Sequence, residues 1–405
     1  MLLYFNPGHE TAVLNASPYY VPSDTVLKMQ HDLAFLPAWY GAVHDLVWVE
    51  RDFPMAYFNT MQTLFPAIPK VVCKNNLSLC AQQELACWGI TPQAFHYFET
   101  LKKQSNIQLI IPEWREEFVV LTSRQPAKEC LEELLLTIPD ISPQLLPQHC
   151  NSVKEVEQIV LHTNSPLLVK APYSSSGRGL LWLRNGLGSK EREVLHGILK
   201  KQLWVTVEPV VQKMQDFSMQ FTSDGKGNVC FEGYSIFNTN DKGSYQESLL
   251  QRQSKMEQTI ISFISSALLE QTKQQVFRFL QKKYALLYKG AISVDMMIYQ
   301  DEGGYRLHPC VEINMRYNMG FLALQLFENY IYQDSSGIFK LHYYRDTKTF
   351  NFEHYRLAQQ YPLQIKAGKI KAGYLSLCPV EPETHYCAYV MVGGNVNKCR
   401  EKLGC

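Results

Sequence analysis

The stretch PLLVKAPYSSSGRGLLWL, residues 166–183, sets a lysine, three serines and two glycines between apolar flanks. These are the ingredients of a phosphate cradle, but their order differs from that of a Walker A loop. There the lysine follows the glycines and a helix comes next. Here Lys170 ends one apolar run, and a second apolar run follows the glycines. The pattern predicts strand, loop and strand, a hairpin whose tip is Ser174, Ser175, Ser176, Gly177, Arg178 and Gly179. Side chains alternate across a strand, so Lys170 projects from one face while Val169 packs into the core. The lysine supplies a fixed charge, and the glycines let backbone N–H groups approach an anion. An ordinary solvated turn beside a lysine with its stem on apolar surface fits the same residues.

A second stretch, HPCVEINMRYNMG at 308–320, lies about 140 residues downstream. Glu312 and Asn314 stand two apart in strand context and therefore share a face. Upstream, Asp295 interrupts the apolar run AISVDMMIY, where an unpaired charge is costly. A turn at DEGG, 301–304, folds the two runs into a hairpin and brings Asp295 beside Glu312. Two carboxylates and an amide are hard oxygen donors suited to Mg²⁺ held against phosphates. Arg316 is placed to brace a phosphoryl group. The alternative is a strand end carrying a Glu312–Arg316 salt bridge.

Together, VKAPYSSSGRG and the later VEINMR with Asp295 upstream resemble the ATP-grasp superfamily, which includes D-alanine–D-alanine ligase, biotin carboxylase and glutathione synthetase. The resemblance covers roughly residues 120–330. It implies two α+β subdomains gripping ATP, preceded by a small α/β domain. It further implies Lys170 on the α/β phosphates, 174–179 as the phosphate loop, Glu208 at the adenine and Asp216 at the ribose. Asp216 reads equally as a solvated turn acid. Asp295, Glu312 and Asn314 match the ligands for one or two Mg²⁺ (Mn²⁺ being an alternative), and Arg316 matches the arginine of the E-x-N-x-R version. A further basic phosphate contact falls on Arg124, with Lys74 as the other candidate.

The implied reaction makes an acyl phosphate from a carboxylate and ATP, which an amine or another nucleophile then attacks. Lys170 and Arg316 are the expected electrostatic catalysts. This requires no side-chain nucleophile, and no Ser-His-Asp or Cys-His motif is recognisable. A phosphotransferase and a non-catalytic nucleotide-binding protein on the same scaffold are the competing readings. For the substrates, His9 and Glu10, after the first strand, are candidates, as are Lys242 and Asn318. Solvated or structural turns account for them equally.

The whole chain agrees with this picture. At 405 residues, two or three packed units are expected, and 46% hydrophobic residues suffice for sizeable cores. A net charge of +1 gives no electrostatic footprint for nucleic acid or an anionic membrane. No apolar run approaches ~18 residues, and MLLYFNPGHE lacks a signal-peptide pattern. Eleven scattered cysteines without a C-x-x-C pair read as reduced thiols in a cytoplasmic enzyme. Small-molecule carboxylate and amine partners are expected, with a homodimer left open.

The expected organisation is an α/β domain at 1–110, subdomains at 111–205 and 206–335, and a mixed extension at 336–405. LLYF (2–5), LVWVE (46–50) and VVC (71–73) read as strands, and 80–88 as helical. EEFVVLT (116–122) reads as a strand, 126–137 as a helix, and 139–152 as a connector ending in a Ser152–Glu155 capping box. A long helix over 254–284 and a last helix at 321–331 complete the reading.

Overall fold

A computed structural model describes residues 1–50, 52–174 and 177–393. Ser175 and Ser176 of the hairpin tip, and the end of the C-terminal extension, lie outside the described residues. The chain opens with β1 (Leu2–Tyr4), α1 (His9–Asn15), α2 (Asp24–Asp32), β2 (Leu46–Trp48), α3 (Met55–Leu64), β3 (Lys70–Val72), β4 (Leu85–Cys87) and α4 (Pro92–Ser105). Its four strands form a parallel sheet in the order β3-β2-β1-β4. The strands are apolar on both faces, as a sheet covered on both sides requires. Leu2, Tyr4 and Trp48 join one core, while Leu3, Phe5 and Val47 join another.

Next come α5 (Glu117–Thr122), α6 (Gln125–Thr137), β5 (Gln148–Cys150), α7 (Val153–Leu161), β6 (Leu167–Lys170), β7 (Leu180–Leu183), α8 (Ser189–Gln202) and β8 (Val205–Pro209). Strands β5-β8-β6-β7 form an antiparallel sheet with its own small core of Val156, Val169, Leu195 and Val207. The lysine-bearing hairpin is β6–β7, with Val169 inward.

The remainder is β9 (Gln212–Asp224), β10 (Val229–Thr239), β11 (Tyr245–Leu250), α9 (Gln253–Ile261), α10 (Ser266–Lys283), β12 (Lys289–Asp301), β13 (Gly304–Asn314), α11 (Met319–Tyr330), β14 (Gly337–Tyr343), α12 (Thr347–Gln360), β15 (Gln364–Lys366), β16 (Lys369–Ser376) and β17 (Tyr386–Val392). Its strands make one nine-stranded sheet in the order β13-β12-β9-β10-β11-β14-β17-β16-β15. One face carries Phe217, Met219, Ile236, Val294 and Ile313 into the core; between them along β9, β12 and β13 the polar Ser218, Asp295 and Glu312 face the other way.

Several sequence expectations are corrected. EEFVVLT is the helix α5, because Phe118 and Leu121, three apart, are its buried residues and Val120 is exposed. Residues 80–88 contain β4, which pairs with β1. The connector contains β5, paired to β8. The long helix is broken into α9 and α10, because Ser265 caps a new start by accepting from Leu268 N at 3.1 Å. The helix at 321–331 is not the last, since α12 follows. Four strands of the extension at 336–393 lie in the nine-stranded sheet. At Ser152 the cap is present, with Oγ accepting from Glu155 N, while the Glu155 carboxylate accepts from Asn151 N.

Candidate active site

The β6–β8 ladder sets Lys170 opposite Thr206 and Leu168 opposite Glu208. Lys170 and Glu208 therefore share a face as diagonal neighbours, and they form an ion pair. Lys170 is 4% exposed, so the pair sits in a poorly hydrated cleft whose lining also includes Arg124, His308, Cys310 and Val311.

Arg124 stands at the entry to α6 and is itself buried. Its Nε donates to Ala171 O at 3.0 Å and its Nη2 to Ser174 Oγ at 3.1 Å. The same Nη2 lies 3.3 Å from Glu312 Oε1. One guanidinium thus touches the lysine–glycine hairpin and the acidic strand end together. Lys74, the other candidate, lies over the Tyr97 ring in the N-terminal unit, 5.8 Å from its centroid.

Beyond the hairpin strand, Gly177 and Gly179 hold φ values of 73° and 78°, which favour glycine. A side chain at Gly177 would begin 2.5 Å from Lys242 O, so the loop rests against the turn between β10 and β11. Lys242 and Arg178 are exposed.

Strand pairing puts Asp295 of β12 directly opposite Glu312 of β13. Asn314 Nδ2 donates to Asp295 Oδ2 at 2.9 Å. Burial, and then the Glu312 charge, push the Asp295 carboxyl up to about 7, with Arg316 and Asn314 opposing the rise. Two facing carboxylates that resist simultaneous ionisation are a donor set that a hard divalent cation would relieve. The residues present therefore fit Mg²⁺. Asp216 stands one row away, opposite Met297 on the β9–β12 ladder. Its carboxylate accepts from Lys213 Nζ at 2.7 Å and from Thr239 Oγ1 at 2.8 Å.

Arg316 follows β13 and donates from Nε to Glu10 Oε1 at 2.9 Å. His9 Nδ1 lies 3.2 Å from Glu10 Oε2. Burial alone would raise the Glu10 carboxyl, but His9 and Arg316 outweigh it and hold Glu10 well below the usual carboxylate range. Hence two expected substrate residues are tied to an expected catalytic one. Asn318 is committed elsewhere: its Oδ1 caps α11 by accepting from Phe321 N at 3.0 Å.

Sequence reasoning missed His308, four residues before Glu312. It is buried, its Nδ1 has no hydrogen-bond partner among the described residues, and burial followed by the Lys170 charge lowers the ring to about 3. A single histidine in an apolar strand gives no periodic signal; only its position on the site-bearing strand pointed to it. Elsewhere among the described residues, a cleft between His31, Phe35 and Pro379 is lined by Asp32, Glu50, Asp52 and Glu381 without lysine or arginine.

No family model and no curated protein sequence matches the chain. Solved structures do. An N5-carboxyaminoimidazole ribonucleotide synthetase in complex with ADP superposes at TM-score 0.52 and 9% identity, over 99% of this chain and 94% of that one. The biotin carboxylase domain of 2-oxoglutarate carboxylase from Hydrogenobacter thermophilus, in complex with MgADP, ADP and bicarbonate, gives 0.51 and 12% over 99% and 89%. Biotin carboxylase from Campylobacter jejuni, complexed with βγ-ATP, gives 0.50 and 13% over 99% and 89%. At such identities the likeness is one of fold, and it runs the length of each chain.

Proposed function

On a chain that has the ATP-grasp fold, we propose an ATP- and Mg²⁺-dependent ligase that activates a carboxylate as an acyl phosphate for attack by an amine or another nucleophile. The observation that carries this reading is Arg124, whose guanidinium touches both Ser174 of the phosphate hairpin and Glu312 of the acidic pair. The two motifs are thereby bridged by one side chain. Superposable structures were solved with ADP or an ATP species, and one with magnesium and bicarbonate, which supports the same assignment.

In this reading Lys170 and Arg124 attract the phosphates, and the backbone N–H groups of the glycine loop close over them. Asp295, Glu312 and Asn314 would hold Mg²⁺, which neutralises phosphate charge when bound. Arg316, fixed by Glu10, faces the charge that develops on the transferring phosphoryl group. A substrate carboxylate oxygen bonds to the γ-phosphorus as the bond to the β-phosphate oxygen breaks, releasing ADP. The nucleophile then attacks the acyl carbon and inorganic phosphate departs, its proton passing to solvent. His9 and Glu10, at the carboxyl end of β1, border the place where these substrates would meet.

The test is ADP release against a panel of carboxylates and amines, with mass spectrometry of the products. Ligation yields ADP, phosphate and a condensed product in equal amounts. A product that retains the phosphoryl group would show phosphotransfer instead.

A further inference from the structure

Among the described residues that line the Lys170–Glu208 cleft, His308 Nδ1 is a buried side-chain polar atom without a hydrogen-bond partner. Native proteins seldom leave such an atom unpaired unless a ligand or water supplies the partner. The chemistry of the surroundings narrows what that ligand presents. Burial and the nearby Lys170 charge keep the ring neutral, so it offers one donor and one acceptor nitrogen. The Glu208 carboxylate, paired with Lys170, shares the cleft and offers a further acceptor. Ala127, Pro147 and Val311 contribute apolar wall. An uncharged, flat group with donors and acceptors along its edge satisfies all of these conditions, and a nucleobase is such a group.

Position along the strands agrees. His308 pairs with Met297, which on its other side pairs with Asp216. Asp295 and Glu312 occupy a separate rung, with two extra residues of β13 between the rungs. The acidic pair and His308 thus mark different points along one bound molecule, with phosphates toward Arg124 and Glu312.

We propose that His308 reads the base of the bound nucleotide, its Nδ1 hydrogen-bonding the polar edge of a purine seated beside Glu208. This rests on the nucleotide reading of the cleft, so its test separates base from phosphate. Calorimetric titrations would use MgADP and magnesium tripolyphosphate, which lacks a base, on the wild-type chain, His308→Leu and His308→Asn. His308→Leu should weaken ADP roughly 3- to 10-fold, the range for one lost hydrogen bond, and leave tripolyphosphate affinity unchanged. His308→Asn, which restores a donor and an acceptor, should recover part of the loss. If the leucine variant does not fold, His308→Phe removes the nitrogens within a similar ring and replaces it.

Unchanged ADP affinity in a folded variant without the nitrogens would overturn the inference. Equal losses for ADP and tripolyphosphate would also overturn it, because the effect would not be at the base. A wild-type chain that binds neither ligand would remove the nucleotide reading itself, and the inference with it.

Discussion

In the proposed site Asp295 would connect protonation to metal binding. Its carboxyl is raised to about 7 in the folded chain, above its ordinary value of 3.8, by burial and Glu312. The folded state therefore holds a proton that the unfolded state has released between about pH 4 and 7, and stability without metal falls as pH rises through that window. A cation competes with the same proton. The stabilisation by Mg²⁺ alone, read as a shift in Tm, should be larger at pH 8 than at pH 6, and Asp295→Asn should remove the difference. Equal shifts at both pH values in the wild-type chain would contradict this. At Lys170, substitution by alanine strands Glu208 in the cleft and should cost about 3 kcal/mol, the lower end for a broken buried pair. Adding Glu208→Gln should restore much of that stability without restoring ATP affinity; the double variant melting no higher than Lys170→Ala would argue against the pair.

At the scale of elements, the two hairpins were legible because each sets two apolar runs on either side of a recognisable turn. Folding at 301–304 alone would set Asp295 opposite Cys310; two extra residues of β13 bring it opposite Glu312. Less was legible where local preference and tertiary packing disagree. The Val119–Val120 pair suggests a strand, yet burial of Phe118 and Leu121 selects a helix. The three-residue strands β4 and β5 are too short to show a period. The β6–β7 hairpin, proposed to hold phosphates, gives its own prediction. Gly177→Ala places a methyl against the Lys242 carbonyl at a positive φ, so the loop should dock less well on the β10–β11 turn. Its cost to stability should be about 1 kcal/mol, with a several-fold rise in the KM for ATP as the larger effect. Steady-state ADP release checks it, and an unchanged KM would show that this docking does not matter to nucleotide binding.

Across the whole molecule, the N-terminal sheet is joined to the acidic site by a contact that no sequence pattern announces. Glu10 and Arg316 are 306 residues apart and meet at 2.9 Å, beside a second contact in which Tyr317 N donates to Trp88 O at 2.9 Å. The mixed tail was unreadable for a related reason: its first strand, β14, pairs with the distant β11 and with β17 rather than with a neighbour in sequence. Glu10 acts on the proposed reaction through Arg316, as a positioning residue. Glu10→Gln keeps the hydrogen-bonding shape but removes the charge, and should lower kcat for ADP release about 10-fold or more while leaving the KM for ATP nearly unchanged. A rise in KM with kcat preserved would place Glu10 in nucleotide binding instead.

The central claim is that Asp295, Glu312 and Asn314 join Lys170 and Arg124 in one magnesium–nucleotide site. Calorimetric titration of ADP with and without Mg²⁺, on the wild-type chain and on folded Glu312→Gln, tests it most directly. The account predicts that Mg²⁺ tightens ADP binding to the wild-type chain at least 10-fold, as expected when one ligand relieves the charge repelling another, and that Glu312→Gln loses most of this gain. The same magnesium dependence in both proteins would contradict it.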